Sequence, residues 1–299
     1  MNKTIVTAFN ESYIKLGATL IASIIEHNNN VDIIVLDTGI SLFSKYKLSS
    51  WAKTKGVEIE FIKITNKLFS KHFGHDIHVP EQYEYYARLL VPYLLPPKID
   101  VILYLDADII CLSDFSEIFQ INIGENVIAA REDIGYKKFN SIMFSRGTSI
   151  IPNYKELGIS GENSYFNSGV MLIDVQKWKS ELVSNKVLDL TFNNTKHLIL
   201  WDQYGLNISL VKKWFNLDEK WNVMQCPKEN DTVVFRHFAK YKPTNYNYPY
   251  LDKKTFFEYL DLSPWKNWRP NNSIFTYTKI KHFLTRFLKK YRKFFKNKS

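Results

Sequence analysis

The chain has 299 residues, 45% hydrophobic and 15% aromatic, enough for a large core in one big domain or in a domain with an appendage. Its formal charge of +10 is concentrated at one end: nine bases and no acid lie between Thr276 and Ser299. The body is therefore close to neutral, which argues against a nucleic-acid-binding protein. Cys111 and Cys226 are the only cysteines and lack metal-type spacing. No disulfide framework is implied, which suits a reducing cytoplasm. Met1 to Ser12 lacks the apolar stretch of a signal peptide, and Leu16 to Ile25 is too short to span a bilayer.

In chain order, Thr4 to Phe9 is a β-branched, apolar first strand, and Asn10-Glu11-Ser12 is turn chemistry in which Ser12 is placed to cap a helix. Tyr13 to Asn28 carries a broad apolar stripe at helical spacing. Asp32 to Asp37 predicts a second buried strand, Ser41 to Lys55 a helix capped by Ser41, and Val57 to Ile64 a third strand. Strand and helix alternating at this spacing predict a parallel sheet with right-handed crossovers. Lys71 to Gln82 is irregular. His72, His75 and His78 within it have no fourth ligand nearby, so a mobile loop over the site is expected rather than a zinc centre. Glu84 to Leu95 predicts a helix holding Arg88, closed by Pro96-Pro97.

Residues 101 to 105 form an apolar run that ends in Leu105-Asp106-Ala107-Asp108. It reads as a buried strand of a mostly parallel sheet, with two carboxylates where the strand stops. Ligands of open α/β sheets bind at those strand ends. Carboxylates at i and i+2 start on opposite sides of an extended chain, and a turn between them brings both onto one hard cation. Alone, the pair reads equally as a strand end and a turn cap.

Ser113 to Gln120 predicts a short helix and Val127 to Arg131 another strand. Ile134 to Asn163 is a long excursion of low periodicity, expected to cover a face of the site. Tyr165-Phe166-Asn167-Ser168-Gly169 leads into a strand over Val170 to Ile173. Gly169 lets backbone approach a ligand closely, and Asn167 offers both a donor and an acceptor. Lys177 to Phe192 and Ile199 to Val211 predict helices, and Val233 to Phe235 a strand delivering Arg236-His237-Phe238, with Lys242-Pro243 after it. Nothing repeats at a fixed period.

Six segments in this order resemble glycosyltransferase family 8, retaining enzymes of the GT-A fold, and among them the bacterial branch that adds galactose or glucose to lipopolysaccharide or related surface glycans. They are Thr7 to Tyr13, Tyr86-Ala87-Arg88-Leu89, Leu103 to Asp108, Tyr165 to Val170, Asp202-Gln203, and His237-Phe238 with Lys242-Pro243. The resemblance, which runs from Thr4 to about Pro243, implies an α/β, Rossmann-like, mostly parallel sheet flanked by helices; the domain is expected over residues 1–272, with a tail of different composition over 273–299. It implies a UDP-hexose donor, a glycolipid or oligosaccharide acceptor, and Mn²⁺, with Mg²⁺ as a substitute. On this pattern Ala8, Asn10 and Tyr13 face the nucleotide; Asp106, Asp108 and His237 hold the metal; and Lys242 neutralises the diphosphate. Arg88, Asn167 and Asp202 hold the donor sugar, and Gln203 lies beside the anomeric carbon. The chain departs from the family at Ala239-Lys240-Tyr241, a shorter loop that leaves Lys240 as an alternative to Lys242, and at Asn10, where many relatives carry an acid.

A cation and a lysine on the phosphates would lower the barrier as UDP departs, and two carboxylates with an imidazole suit Mn²⁺ or Mg²⁺. Gln203 is a poor nucleophile, unlike the carboxylate of ordinary retaining glycosidases, so front-face attack is expected. Two rival classes are a sugar-phosphate nucleotidyltransferase and a non-catalytic glycan- or membrane-binding protein. The first needs a glycine-rich, basic loop that Thr7 to Tyr13 lacks, and the second leaves Asp106, Asp108 and His237 without a purpose. In the tail, Ile280, Phe283, Leu284, Phe287, Leu288, Tyr291, Phe294 and Phe295 recur on one helical face with bases around the rest. This predicts an amphipathic helix lying on the anionic inner face of the cytoplasmic membrane.

Overall fold

The computed structural model describes residues 3–74 and 83–271. Most of the expected loop after Lys71, with His75 and His78, lies outside the described residues, as does the whole 273–299 tail; His72 ends in a helix. The first half runs β1 (Lys3–Phe9), α1 (Ile14–His27), β2 (Val31–Asp37), α2 (Leu42–Thr54), β3 (Ile59–Lys63) and α3 (Asn66–Phe73). A 3₁₀ stretch (Tyr83–Leu90) then leads through α4 (Val91–Leu94) to β4 (Val101–Leu105) and β5 (Ile109–Cys111). After a second 3₁₀ stretch (Ser116–Gln120) come β6 (Ile128–Glu132), β7 (Ile142–Met143), β8 (Thr148–Ser149) and β9 (Phe166–Asp174). The described residues continue with α5 (Val175–Ser180), α6 (Val183–Asn193), α7 (Asp202–Ser209), β10 (Trp214–Asn216), β11 (Phe235–His237) and α8 (Lys253–Leu262).

Among the described residues, seven strands form one sheet in the order β10-β6-β9-β4-β1-β2-β3. The β1–β2, β2–β3, β1–β4 and β6–β10 pairs are parallel, as the alternation of strands and helices predicts. The departure is β9, which runs antiparallel to both β4 and β6. Strand polarity leaves no trace in the side-chain pattern, since a strand buried on both faces reads as the same apolar run in either direction.

Alternation along the strands builds a core on each face. Val6, Ile34, Ile102, Tyr104, Ala130 and Met171 meet Tyr86, Leu89, Trp178, Val187 and Leu206. Ile5, Ile33, Val35, Leu103, Leu105 and Leu172 meet the stripe of α1 and Leu48 of α2. Burial of aliphatic side chains on both faces is the main stabilising term for such a sheet.

Several boundaries differ from the sequence reading for local reasons. The turn after β1 is capped by Asn10, whose Oδ1 accepts from the Ser12 backbone at 3.0 Å; Ser12 itself donates its hydroxyl to Asn10. The expected helix over 84–95 is mostly 3₁₀, because Pro92 in a continuous α-helix would clash with the carbonyl four residues back. The helix predicted over 177–192 breaks at Leu182, which is left-handed with φ 52°. The helix predicted from Ile199 starts only at Asp202, since Leu200 and Trp201 have positive φ. The excursion over 134–163 carries its own apolar cluster of Phe139, Ile150, Ile151 and Tyr165 against Tyr204. Among the described residues no helix is long and apolar enough to cross a membrane.

Candidate active site

β4 ends at Leu105 and β5 begins at Ile109, so Asp106-Ala107-Asp108 is the turn between them. The turn is held on one side by the Asp106 N–H donating to the Gly169 carbonyl at 2.8 Å. On the other side β11 pairs antiparallel with β5, His237 opposite Ile109, which delivers the imidazole to the same spot. The His237 Nε2 atom lies 3.3 Å from Asp108 Oδ1 and 3.9 Å from Asp106 Oδ2. One ligand atom from each of the three residues fits within a 4.8 Å span. Two carboxylate oxygens and one imidazole nitrogen so close are a donor set for a hard or borderline divalent cation such as Mn²⁺ or Mg²⁺, and the residues fit such an ion.

Two asparagines orient this imidazole. His237 Nδ1 lies 3.0 Å from Asn222 Oδ1, Asn222 Nδ2 donates to Asn167 Oδ1, and Asn167 Nδ2 donates to Asp133 Oδ2 at 3.2 Å. The second ring nitrogen is thereby engaged, leaving Nε2 toward the carboxylates. Asn222 and Asp133 were not among the residues singled out in the sequence, because each sits in an irregular segment without a motif. At Gly169 the bare backbone admits the His237 ring, whose Cε1 would lie 2.3 Å from a Cβ at 169.

Lys242 contacts Asp108 Oδ2 and donates to the carbonyls of Phe238 and Ala239 at 2.8 and 2.9 Å. Lys240 instead is exposed, its ammonium 5.3 Å from the Tyr241 ring centre. Burial works against the charge of Asp108, but Lys242 and His237 outweigh it and hold its carboxyl well below the usual carboxylate range.

Arg88 gathers the other half. Its Nη2 donates to Asp106 Oδ1 at 2.9 Å, its Nη1 to the Ser168 carbonyl at 2.6 Å, and its guanidinium lies 4.4 Å from the centre of the Tyr104 ring. Its Nε is 2.9 Å from Asp202 Oδ2, a contact of charges without the alignment of a hydrogen bond. Asp202 shows the consequence: burial pushes its carboxyl up to about 6, and Arg88 offsets only part of that while Asp106 adds to it. Gln203 is fixed at both ends of its amide. Its Oε1 accepts from the Ser168 N–H at 2.9 Å and the Ser168 hydroxyl at 3.1 Å, and its Nε2 donates to the Tyr165 hydroxyl. A register shift between β6 and β9 at Ala130/Arg131 frees Ser168 and Gly169 from the β6 ladder, so they can serve these partners.

Arg88, Asp106, Asp108, Asn167, Asp202, Gln203, His237 and Lys242 thus form one cluster linked directly or through a single residue. Of the three positions assigned to the nucleotide, Ala8 lies near the end of β1, the strand paired with β4, and Asn10 and Tyr13 lie in the turn that follows it. Ala8 is half-buried, Asn10 caps the turn, and Tyr13 is 39% exposed. A cavity of about 450 Å³, lined by Arg131, Asp133, Asn216 and Glu219 among others, opens beside the Asn167–Asp133 contact.

The profile described as Glycosyl transferase family 8 matches residues 4–248. General stress protein A of Bacillus subtilis is 26% identical over 289 residues, covering 87% of this chain and 94% of that protein. A lipopolysaccharide 1,3-galactosyltransferase of Salmonella typhimurium is 29% identical over 202 residues, 62% of this chain and 56% of that protein. A lipopolysaccharide 1,2-glucosyltransferase of Escherichia coli is 26% identical over 217 residues, 67% of this chain and 61% of that protein. The chain therefore spans little more than half the length of these two transferases. Among solved structures, the galactosyltransferase LgtC with donor and acceptor sugar analogues superposes with a TM-score of 0.68 at 20% identity, over 87% of this chain and 96% of that one. The last likeness is one of fold.

Proposed function

Since the chain belongs to glycosyl transferase family 8 and has the GT-A fold, we propose that it transfers a galactose or glucose from UDP-hexose to a sugar hydroxyl of a lipopolysaccharide-type or other cell-surface glycan, with retention at the anomeric carbon. The observation that carries this reading is the convergence on one strand-end turn of a cation-type donor set, Asp106, Asp108 and His237, with Lys242 on one flank and Arg88, Asp202 and Gln203 on the other. The bacterial relatives named for lipopolysaccharide support the hexose and the glycan acceptor.

In this reading Asp106, Asp108 and His237 hold a divalent ion, which when bound supplies positive charge to the departing diphosphate. Lys242 turns its ammonium from Asp108 to the same phosphates. The Lys242 ammonium there stabilises charge that grows only as the C–O bond breaks, so it favours the transition state over the bound donor. Asn167 and Asp202, with Arg88 between Asp202 and the metal-side Asp106, take the donor sugar's hydroxyls; these buried groups reject a sugar that leaves them unpaired. Ala8, Asn10 and Tyr13 border the uridine.

Gln203 supports a front-face course. Its amide oxygen already accepts two hydrogen bonds from Ser168, which lowers its capacity to attack carbon and suits a role in positioning the sugar. The acceptor hydroxyl then enters on the face the diphosphate leaves, and its proton passes to a departing phosphate oxygen. The aromatic, basic tail over 273–299 supports attachment to the inner face of the cytoplasmic membrane, where a lipid-linked acceptor would be met.

The test is Mn²⁺-dependent hydrolysis across a panel of UDP-sugars. UDP-galactose or UDP-glucose is expected to turn over, with loss of activity on chelation and recovery with Mn²⁺. A protein that binds glycans yet hydrolyses no UDP-sugar would overturn the proposal.

A further inference from the structure

Leu200 and Trp201 stand in succession at φ 59° and 49°, and Trp201 has ψ −117°. The Trp201 angles are those of the first central position of a type II′ turn, which glycine ordinarily fills, so a bulky side chain there is strained. Burial does not account for the indole's presence, because Trp201 remains 36% exposed. Its ring lies on that of Tyr85, centroids 5.7 Å apart and planes 5° from parallel, and Tyr85 is itself 41% exposed.

The position of this stack is informative. Tyr85 precedes Arg88 by one 3₁₀ turn, so the two share an edge. Trp201 precedes Asp202 directly. The two segments are therefore joined twice, by the Arg88–Asp202 charge contact within and by the ring stack at the surface. A flat, exposed aromatic step thus stands at the start of the helix whose first two residues are Asp202 and Gln203.

We propose that the Tyr85–Trp201 stack is a platform for a pyranose ring of the acceptor, received on its C–H face, with the ring's hydroxyl edge toward Gln203. An aromatic face carries partial negative charge and attracts polarised C–H groups. The platform selects gluco- or galactopyranosides, whose axial hydrogens line one face, over open polyols or phosphates. The inference rests on the transferase reading.

Saturation-transfer NMR with methyl β-glucopyranoside and methyl β-galactopyranoside tests it, on protein holding UDP and Mg²⁺, for wild type, Trp201→Phe and Trp201→Gly. Saturation is expected on the ring C–H protons of at least one glycoside in wild type and Trp201→Phe. In Trp201→Gly binding is expected to weaken by about tenfold. Glycine suits the turn, so Trp201→Gly is expected to melt no lower than wild type. Undiminished binding by Trp201→Gly, a lower melting temperature in it, or no glycoside bound by wild type would each overturn the platform. UDP-hexose hydrolysis by the same wild-type preparation separates the two ideas: hydrolysis without glycoside binding removes only the platform, whereas its absence removes the transferase reading.

Discussion

A Cβ on residue 169 would lie 2.3 Å from Cε1 of His237 and 2.8 Å from its Nδ1. The imidazole rests on bare backbone, and Asn222 holds it there through Nδ1. Gly169→Ala is therefore expected to push the ring away from Asp106 and Asp108 and to weaken Mn²⁺ binding by about 10–100-fold. Titration calorimetry of Mn²⁺ into UDP-loaded protein measures this. An affinity equal to wild type would show that the ring need not sit against residue 169 to bind metal.

Asp108 lies at the meeting point of His237 and Lys242. Asp108→Ala is expected to lower transfer about a hundredfold or more and to abolish Mn²⁺-dependent UDP binding, with the far-UV spectrum unchanged. Retention of more than about a tenth of the wild-type rate would remove Asp108 from the metal site.

Gln203→Ala removes an amide fixed between Ser168 and Tyr165 rather than a group on the nucleotide. Turnover is expected to fall by about tenfold or more while the donor KM changes little. The opposite pattern, a higher KM at constant kcat, would mark Gln203 as a uniform binding residue.

Asp202 makes a prediction about pH. Its carboxyl is raised from 3.8 to about 6, so between those values the folded chain holds a proton that the unfolded chain has released. Raising the pH through that window costs stability, on the order of 2–3 kcal/mol in full above it, and nothing below it. The unfolding free energy of wild type minus that of Asp202→Asn is expected to fall from pH 3.8 to about 6 and then level off. Urea titrations at a series of pH values give this difference, and a flat line across the window would contradict it.

For the tail, the full-length chain is expected to co-sediment with vesicles in proportion to their anionic lipid content, and a chain ending at Ser273 is not. Each base near such a surface contributes roughly 1 kcal/mol, so the binding should weaken steeply with salt. Equal sedimentation of the two chains would refute membrane attachment through residues 274–299.

How far the sequence foretold this site follows from what each feature depends on. The strands β1, β2 and β4 were legible as β-branched and apolar runs, and Asp106 and Asp108 as carboxylates at a strand end. Their join to His237 was legible only through resemblance, since pairing of β5 with β11 is a long-range event that neither segment encodes alone. Asn222 and Asp133 were invisible: a polar residue in an irregular segment acquires meaning only from the neighbours the fold brings to it. The break at Leu182 and the turn at Leu200-Trp201 were hidden for the opposite reason, because residues of good helical propensity stand where glycine would have signalled the bend. The helix α8 carries Phe256, Phe257 and Leu260 at helical spacing, a signal present in the sequence.

The lysine and the aspartate that meet at the Asp106-Ala107-Asp108 turn are 134 residues apart in the chain. All seven strands of the large sheet are in place by Asn216, whereas His237 and Lys242 come later. During synthesis all seven strands are thus made before the residue that completes the Asp106–Asp108–His237 group. A chain that stalls or is clipped short of Phe235 retains the sheet strands but lacks His237 and Lys242. Such a fragment keeps the carboxylates of Asp106 and Asp108 without the imidazole and the ammonium that face them in the complete site.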